Sequence, residues 1–166
     1  MFSKPILDKL IKWLNRALLI TASFLLLFMI ILTCANIALR VFWVPISGTF
    51  ELMGLCGALV TAFSLGYTQI KRGHIAVDVL IKAFPQSAQK VIGIINSILC
   101  IAFFSLATWK IFFWSTNICV SGEVTETLRI VYYPFSYGVS LGCAFIALVF
   151  LVELIRTFSP QSENSK

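Results

Sequence analysis

Four long stretches of the sequence contain no charged side chain, and they set the pattern of the whole chain. They cover residues 17–39, 52–70, 91–109 and 130–152. A helix needs about 20 predominantly apolar residues to cross the hydrocarbon core of a bilayer, and backbone amides inside that core need internal hydrogen-bond partners. The pattern therefore predicts an all-α, polytopic membrane protein with four transmembrane helices. Residues 1–158 would form a single membrane domain, and residues 159–166 a polar C-terminal tail.

The third apolar stretch does not end at its first charged residue. After Lys110 the sequence continues with mostly apolar and aromatic residues as far as Val120. A helix from residue 91 to residue 120 would be about 45 Å long at 1.5 Å per residue, whereas the hydrocarbon core is about 30 Å thick. The extension to residue 120 predicts either a strongly tilted helix or a helix whose end lies along the outer membrane surface.

Composition supports the membrane class and argues against a soluble enzyme. Of the 166 residues, 59% are hydrophobic and 12% are charged, and the mean hydropathy is +0.94. An average soluble domain has about 25% charged residues. The first apolar stretch is longer than the core of a cleaved signal peptide, about 7–15 residues, so we expect it to be retained as an anchor.

The basic residues behind the net charge of +6 are distributed unevenly. Ten lie in the N-terminal segment, in the connection between the second and third stretches, and in the C-terminal tail, whereas three lie in the other two connections. Because positive residues resist translocation, both termini and the second connection are predicted to be cytoplasmic. The basic excess is then a topology signal, and no nucleic-acid partner is expected.

The four stretches lack the groups on which membrane chemistry usually depends. No Asp, Glu, Lys, Arg or His lies within them, although such residues usually mark ion and substrate pathways. The five cysteines contain no C-x-x-C pair, and there is a single histidine, which argues against thiol–disulfide chemistry and a metal site. The sequence therefore predicts no enzyme and no catalytic, metal or cofactor site in this chain.

Small residues recur at helical spacing and predict close packing between helices. They are Gly54, Ala58, Ala62 and Gly66 in the second stretch, and Gly138 and Gly142 in a G-x-x-x-G spacing in the fourth. Two interpretations are open, because this face could contact another helix of the same chain or a partner protein. The amides Asn36, Asn96 and Gln69 offer interhelical hydrogen bonds as well.

Two polar clusters flank the second stretch. Before it, Arg40 closes the first stretch and Glu51 opens the second, so these two charges could pair across the turn or stay separate. After it, the connection predicts a short amphipathic helix on the cytoplasmic membrane surface. His74 and Asp78 would share one face of that helix and could hydrogen-bond.

The order of residues in these clusters resembles that of a known family. Arg40 is followed eleven residues later by Glu51, then by an apolar span, by Lys71-Arg72-Gly73-His74-Ile75-x-Val77-Asp78 and by Phe84-Pro85. This order is similar to that of the small membrane subunit of tripartite ATP-independent periplasmic (TRAP) transporters.

The resemblance implies a role in which the substrate site lies in another chain. In that family a sodium gradient drives uptake of small carboxylates across the bacterial inner membrane. A periplasmic substrate-binding protein delivers the substrate, and a large multi-span membrane subunit holds the substrate and sodium sites. The small subunit would act as a scaffold for the large subunit and help the binding protein to dock, with membrane lipids as further partners. The resemblance also suggests that Arg40 and Glu51 brace the outward corner of the first two spans, and that His74 and Asp78 fix the cytoplasmic turn.

Two other functional classes are open from the residues alone. One is a self-associating transporter or channel with a polar path built from Asn36, Ser64, Tyr67 and Thr68. The other is a structural or regulatory membrane protein with unrelated partners. Co-purification with a large membrane subunit distinguishes the family interpretation from both.

Overall fold

A computed structural model describes residues 4–70 and 86–158, most of which lie in four helices. These are α1 (Lys4–Phe42), α2 (Thr49–Ile70), α3 (Gln86–Ser121) and α4 (Tyr133–Phe158). Each contains a segment long and apolar enough to cross a membrane, over Lys9–Phe42, Thr49–Ile70, Val91–Ser121 and Tyr133–Ile155. The prediction of an all-α protein with four membrane-spanning helices is confirmed. The orientation of the termini stays a prediction, and the predicted amphipathic segment and polar tail lie outside the described residues.

Glycine and proline residues lie at the ends of the helices, in positions that suit them. Gly122 follows α3 with φ +68°, and its N–H donates to the carbonyl of Ile118 at 2.9 Å, an arrangement typical of a helix closed by a left-handed glycine. α4 begins at Tyr133, so Pro134 lies in the first turn, where its missing N–H costs no helical hydrogen bond. Pro45 lies in the turn between α1 and α2.

α1 and α3 are longer than the bilayer core. They contain 39 and 36 residues, which correspond to about 58 and 54 Å against a core of about 30 Å. α3 continues without a break through Lys110 to Ser121, so the extension suggested by the sequence is helical. Both helices therefore project beyond the hydrocarbon core or cross it at an angle.

The main helix contacts run in the order α1, α2, α4, α3. One buried cluster joins the first three of these helices, with Leu18 and Ala22 from α1, Ala62 and Phe63 from α2, and Phe145 and Val149 from α4. Because α2 and α4 lie in the middle of this order, the contact between them holds the two helical hairpins together.

α3 packs against α4 through aromatic and hydroxyl groups. The rings of Phe104 and Phe150 stack with their centroids 6.1 Å apart. Ser140 is buried, and its Oγ donates to the carbonyl of Thr108 at 3.3 Å. A buried hydroxyl without a partner would be costly in an apolar environment, so this hydrogen bond makes the close contact tolerable.

Much of the apolar surface of α1 and α3 is exposed. Phe24, Leu99 and Leu106 are each more than 60% exposed. In water, apolar surface of this kind costs about 25 cal/mol per Å². In a bilayer the lipid tails are as apolar as the side chains and remove that cost, so this surface suits a membrane protein and not a soluble bundle.

Candidate functional site

The turn between α1 and α2, residues 43–48, is held by polar groups of its own neighbourhood. Asn36 Oδ1 accepts the N–H of Ile46 at 2.9 Å. Thr49 is buried, and its Oγ1 donates to the carbonyl of Ile46 at 2.8 Å. Asn36, predicted from sequence to bond between helices or to line a polar path, is therefore used to hold this turn.

The loop between α3 and α4, residues 122–132, folds back on itself as a short hairpin. Val124 and Val131 form an isolated antiparallel bridge. The Thr125 N–H donates to the carbonyl of Ile130 at 2.9 Å, and the Ile130 N–H donates to Thr125 Oγ1 at 3.0 Å. Arg129 has φ +53°, a conformation that costs a residue with a side chain roughly 1–2 kcal/mol. The hairpin bonds around it offset that cost.

Glu51 connects the turn to this loop. Its Oε1 accepts the N–H of Thr127 at 2.7 Å, and its Oε2 accepts the N–H of Leu128 at 3.1 Å. Hydrogen bonds to an ionised carboxylate are roughly twice as strong as those between neutral groups. Glu51 thus joins the α1–α2 hairpin to the α3–α4 hairpin at this end of the bundle.

The side chain of Leu128 completes the contact by packing on Gly48. A Cβ placed on Gly48 would lie 2.6 Å from Leu128 Cδ1, well inside van der Waals distance. Gly48 also has φ +77°, which glycine adopts without steric cost. We call Gly48, Glu51, Thr127 and Leu128 the clamp, and the end of the bundle that contains them the clamp end.

Arg40 lies near the clamp but takes no part in its hydrogen bonds. It is exposed near the end of α1, and no ion pair joins it to Glu51 within the described ranges. The Glu51 carboxylate is directed at the loop amides instead, because two backbone N–H groups converge there. A brace that uses Arg40 itself stays a prediction.

We expect Glu51→Gln to loosen the loop while the helices stay intact, because the new amide NH₂ would face a backbone N–H and one of the two bonds would be lost. Thr125 is 1% exposed, so a Thr125→Cys probe in a Cys34→Ser/Cys119→Ser background, which removes both exposed cysteines, reports opening of the loop. The probe removes the Oγ1 acceptor of the Ile130 N–H, so rates are compared only between proteins that all carry it. A membrane-impermeant maleimide should then label the probe several-fold faster with Gln than with Glu at position 51.

Glu123→Gln is the matched control for that experiment. Glu123 is an exposed acid of the same loop, and it makes none of the hydrogen bonds seen in the described structure. The Thr125→Cys probe should be labelled at the same rate in the Glu123→Gln variant as in the parent. Equal rates for both glutamine variants would contradict the role of Glu51 as the bond between the hairpins.

Glycines of α2 and α4 lie where these two helices approach each other closely. A Cβ on Gly142 would lie 2.8 Å from the Cβ of Ala62 and 2.9 Å from its backbone C and O, and one on Gly66 would lie 2.5 Å from the Phe145 ring. A Cβ on Gly138 would lie 2.5 Å from Leu59 Cδ2, on the same side of α2. Four of the small residues predicted to pack, Ala62, Gly66, Gly138 and Gly142, therefore pack within this chain.

The other part of the small-residue strip faces away from the bundle. Gly54 and Ala58 are exposed, and no atom lies within 4 Å of a Cβ built on Gly54. Each four-residue step rotates the direction by about 40°, so Gly54 and Gly66 point about 120° apart. The small residues of α2 are therefore divided between two faces, one packed against α4 and one exposed.

One of those faces is left open by the described helices. Phe50, Gly54, Ala58 and Thr61 are all exposed and lie within about 80° of one another around α2. We call these four residues the open α2 face.

A second polar contact joins α2 and α4 at the opposite end of the bundle. Gln69 Nε2 donates to Glu153 Oε2 at 2.9 Å, so the predicted interhelical bond of Gln69 is confirmed. Sequence reasoning missed Glu153 as its partner. The available signal was that Gln69 and Glu153 each lie at the end of an apolar stretch on the side predicted to be cytoplasmic.

The remaining predicted residues, His74 and Asp78, lie outside the described residues, and their role in the cytoplasmic turn stays a prediction. In the ranges 4–70 and 86–158 there is no group of three or more His, Cys, Asp or Glu side chains that could hold a metal ion.

A family model described as "Tripartite ATP-independent periplasmic transporters, DctQ component" matches residues 29–159, more than three quarters of the chain. The matched range includes the clamp, the open α2 face and the α2–α4 contact. No curated protein and no solved structure gives a significant match.

Proposed function

Because the chain belongs to the DctQ family of TRAP transporter components, we propose that it is the scaffold subunit of a sodium-driven carboxylate uptake system. In this proposal a large multi-span subunit carries the sodium and substrate sites. A periplasmic substrate-binding protein delivers the carboxylate, and this chain takes part in its docking.

The observation that carries the proposal is a membrane bundle with an open packing face, whose four apolar stretches at 17–39, 52–70, 91–109 and 130–152 contain no Asp, Glu, Lys, Arg or His. Ion and substrate pathways usually need such residues, so the transport chemistry is assigned to the partner. The open α2 face offers what a helix of that partner requires, because Gly54 and Ala58 permit close approach. Phe50, which is 85% exposed, would fill a pocket beside them.

The same proposal places the chain in the bacterial inner membrane with both termini in the cytoplasm. The support is the excess of Lys and Arg in the segments assigned to that side. The clamp end would then face the periplasm and present a rigid surface to the binding protein. Phe42 and Trp43, each 83% exposed, lie at that end and suit either an interfacial position or a protein contact.

A self-associating channel is less well supported by the polar groups proposed for its path. Asn36 is engaged by the α1–α2 turn. The hydroxyls of Ser64 and Thr68 donate to carbonyls of their own helix, at 3.1 and 3.2 Å. Each of these groups therefore already uses one hydrogen bond within the chain, which leaves less hydrogen-bonding capacity for a polar path.

The proposed function is tested by reconstitution. Liposomes should accumulate a labelled carboxylate only when they contain this chain, a large TRAP membrane subunit from the same genome and the binding protein, with an inward sodium gradient. Candidate carboxylates are tested one at a time. Uptake by liposomes that contain this chain alone, or unchanged uptake after its omission, would overturn the scaffold role.

For the packing face, we expect the double variant Gly54→Leu/Ala58→Leu to lose most of the co-purifying large subunit, because two leucines would hold the partner helix away. The thermal stability of the chain itself should change little, since the space around Gly54 is open. The measurement is the ratio of the two polypeptides after affinity purification in mild detergent.

Gly93→Leu is the control for this variant. Gly93 is an exposed glycine of α3 with no atom within 4 Å of a built Cβ. The substitution therefore introduces a leucine on the exposed surface of a different helix. It should leave the ratio unchanged. If Gly93→Leu removed the partner and the α2 variant did not, the interface would have to be assigned to α3.

A further inference from the structure

The three described basic residues near the start of α1 share one side of the helix. Lys9, Lys12 and Arg16 lie within an arc of about 60°, and all three are exposed. Within the described part of the chain none of them forms an ion pair. Trp13 lies beside them and is 69% exposed.

This positive patch continues into an apolar column on the same face. Ile20, Phe24, Leu27 and Ile31 are 62%, 70%, 55% and 59% exposed. They lie within about 60° of one another, while the opposite side of α1, at Leu18, is buried against α2 and α4. The face therefore changes from cationic to apolar without a break.

The dimensions of this face match one leaflet of a bilayer. From Arg16 to Leu27 the helix rises about 17 Å, and half of the hydrocarbon core is about 15 Å thick. An occupant of this face would need a negative group at one end and about 15 Å of apolar chain behind it. A phospholipid with an anionic headgroup has this distribution of charge and length.

We propose that α1 binds an anionic phospholipid, with its phosphate among Lys9, Lys12 and Arg16 and an acyl chain along Ile20, Phe24 and Leu27. Charge complementarity selects this occupant, because a partner helix would need acidic residues placed opposite the three cations. The site goes beyond the scaffold role, since it concerns the lipid side of the chain and not its protein partners.

Fluorescence of Trp13 provides a direct probe of the site. The full chain, together with any subunit that co-purifies, is placed in nanodiscs after Trp43, Trp109 and Trp114 have been replaced by Phe, and the same preparation with Trp13→Phe gives the background signal that is subtracted. Brominated phosphatidylglycerol or brominated phosphatidylcholine is then titrated into an unbrominated zwitterionic bilayer. The anionic lipid should quench Trp13 at a several-fold lower mole fraction than the zwitterionic lipid.

Charge removal tests whether the patch causes this selectivity. Each of Lys9→Gln, Lys12→Gln and Arg16→Gln should weaken the preference for the anionic lipid, because each cation interacts with the headgroup, and the triple variant should abolish it. The single variants keep the experiment decisive if the triple variant inserts poorly. Equal quenching by both lipids in the parent, or a preference retained in all the variants, would overturn the proposal.

Two further comparisons test whether the patch itself binds the lipid: a control variant with charges removed elsewhere, and a preparation in which a protein subunit covers this face. The triple variant Arg40→Gln/Lys110→Gln/Arg129→Gln removes the same number of exposed charges elsewhere and should keep the full preference. Absence of quenching by either lipid in the presence of a co-purified subunit would show that a protein covers this face, and would also overturn the proposal. Because neither result depends on carboxylate uptake, the lipid site can fail while the scaffold role stands.

Discussion

Gly142→Ala is expected to lower the free energy of unfolding by about 1–3 kcal/mol, the usual cost of an added methyl group in a closely packed interior. The new Cβ would lie 2.8–2.9 Å from Ala62, including its backbone C and O. Backbone atoms cannot rotate out of the way as the end of a side chain can. α2 and α4 would have to separate, which would loosen the buried cluster around Ala62 and Phe145.

Helix propensity alone predicts the opposite change in stability for this substitution. Alanine favours a helix over glycine by about 1 kcal/mol, so propensity alone predicts stabilisation at position 142. Gly93→Ala isolates that contribution, because nothing lies within 4 Å of its added Cβ. Thermal unfolding in mild detergent, followed by size-exclusion chromatography, should place Gly142→Ala below the parent and Gly93→Ala at or above it. Equal midpoints for the two variants would contradict the close α2–α4 contact.

Gly48→Ala is expected to damage the clamp end for two separable reasons. A left-handed φ of +77° costs a residue with a side chain roughly 1–2 kcal/mol. The added methyl group would also overlap the Leu128 side chain, so either that side chain rotates away from the turn or the loop residue, whose N–H binds Glu51, has to move. We expect a loss of about 1–3 kcal/mol from the overlap in addition to the backbone cost.

Three further variants divide that loss between its causes. Gly122→Ala has a similar φ of +68° with open space around the Cβ, so it should show the backbone cost alone. In a Leu128→Ala background the overlap is absent, and Gly48→Ala should cost no more than Gly122→Ala. Chemical denaturation of the parent, the three single variants and the double variant measures this coupling. Strictly additive effects of Gly48→Ala and Leu128→Ala would contradict the packing of the loop on the turn.

The division of the small-residue strip shows how far sequence reasoning extends. The spacing of Gly54 and Gly66 could in principle be converted into an angle of about 120°, because helical rotation per residue is constant. The spacing could not reveal which part of the strip contacts α4. That choice depends on Phe145 and Gly142, which lie in another helix and meet α2 only after the chain has folded.

Glu51 illustrates the same limit for polar groups. Its place in the first turn of α2 is evident from the sequence, and the neighbouring charge of Arg40 suggested a local pair. The observed partners, Thr127 and Leu128, are 76 and 77 positions further along the chain. No periodicity connects residues at that separation, so only the folded structure could bring them together.

The sequence by itself determined that this protein is a bundle of four apolar helices, because bilayer thickness and the need to satisfy backbone hydrogen bonds act on each segment separately. The motif around residues 40–85 was enough to indicate its family. The tertiary structure alone decided how the helices are ordered, which small residues are buried, and that Glu51 joins the two hairpins. Those features depend on contacts between residues that are distant in sequence. Whether a given side chain stabilises such a contact depends on the shape and polarity of the surface opposite it.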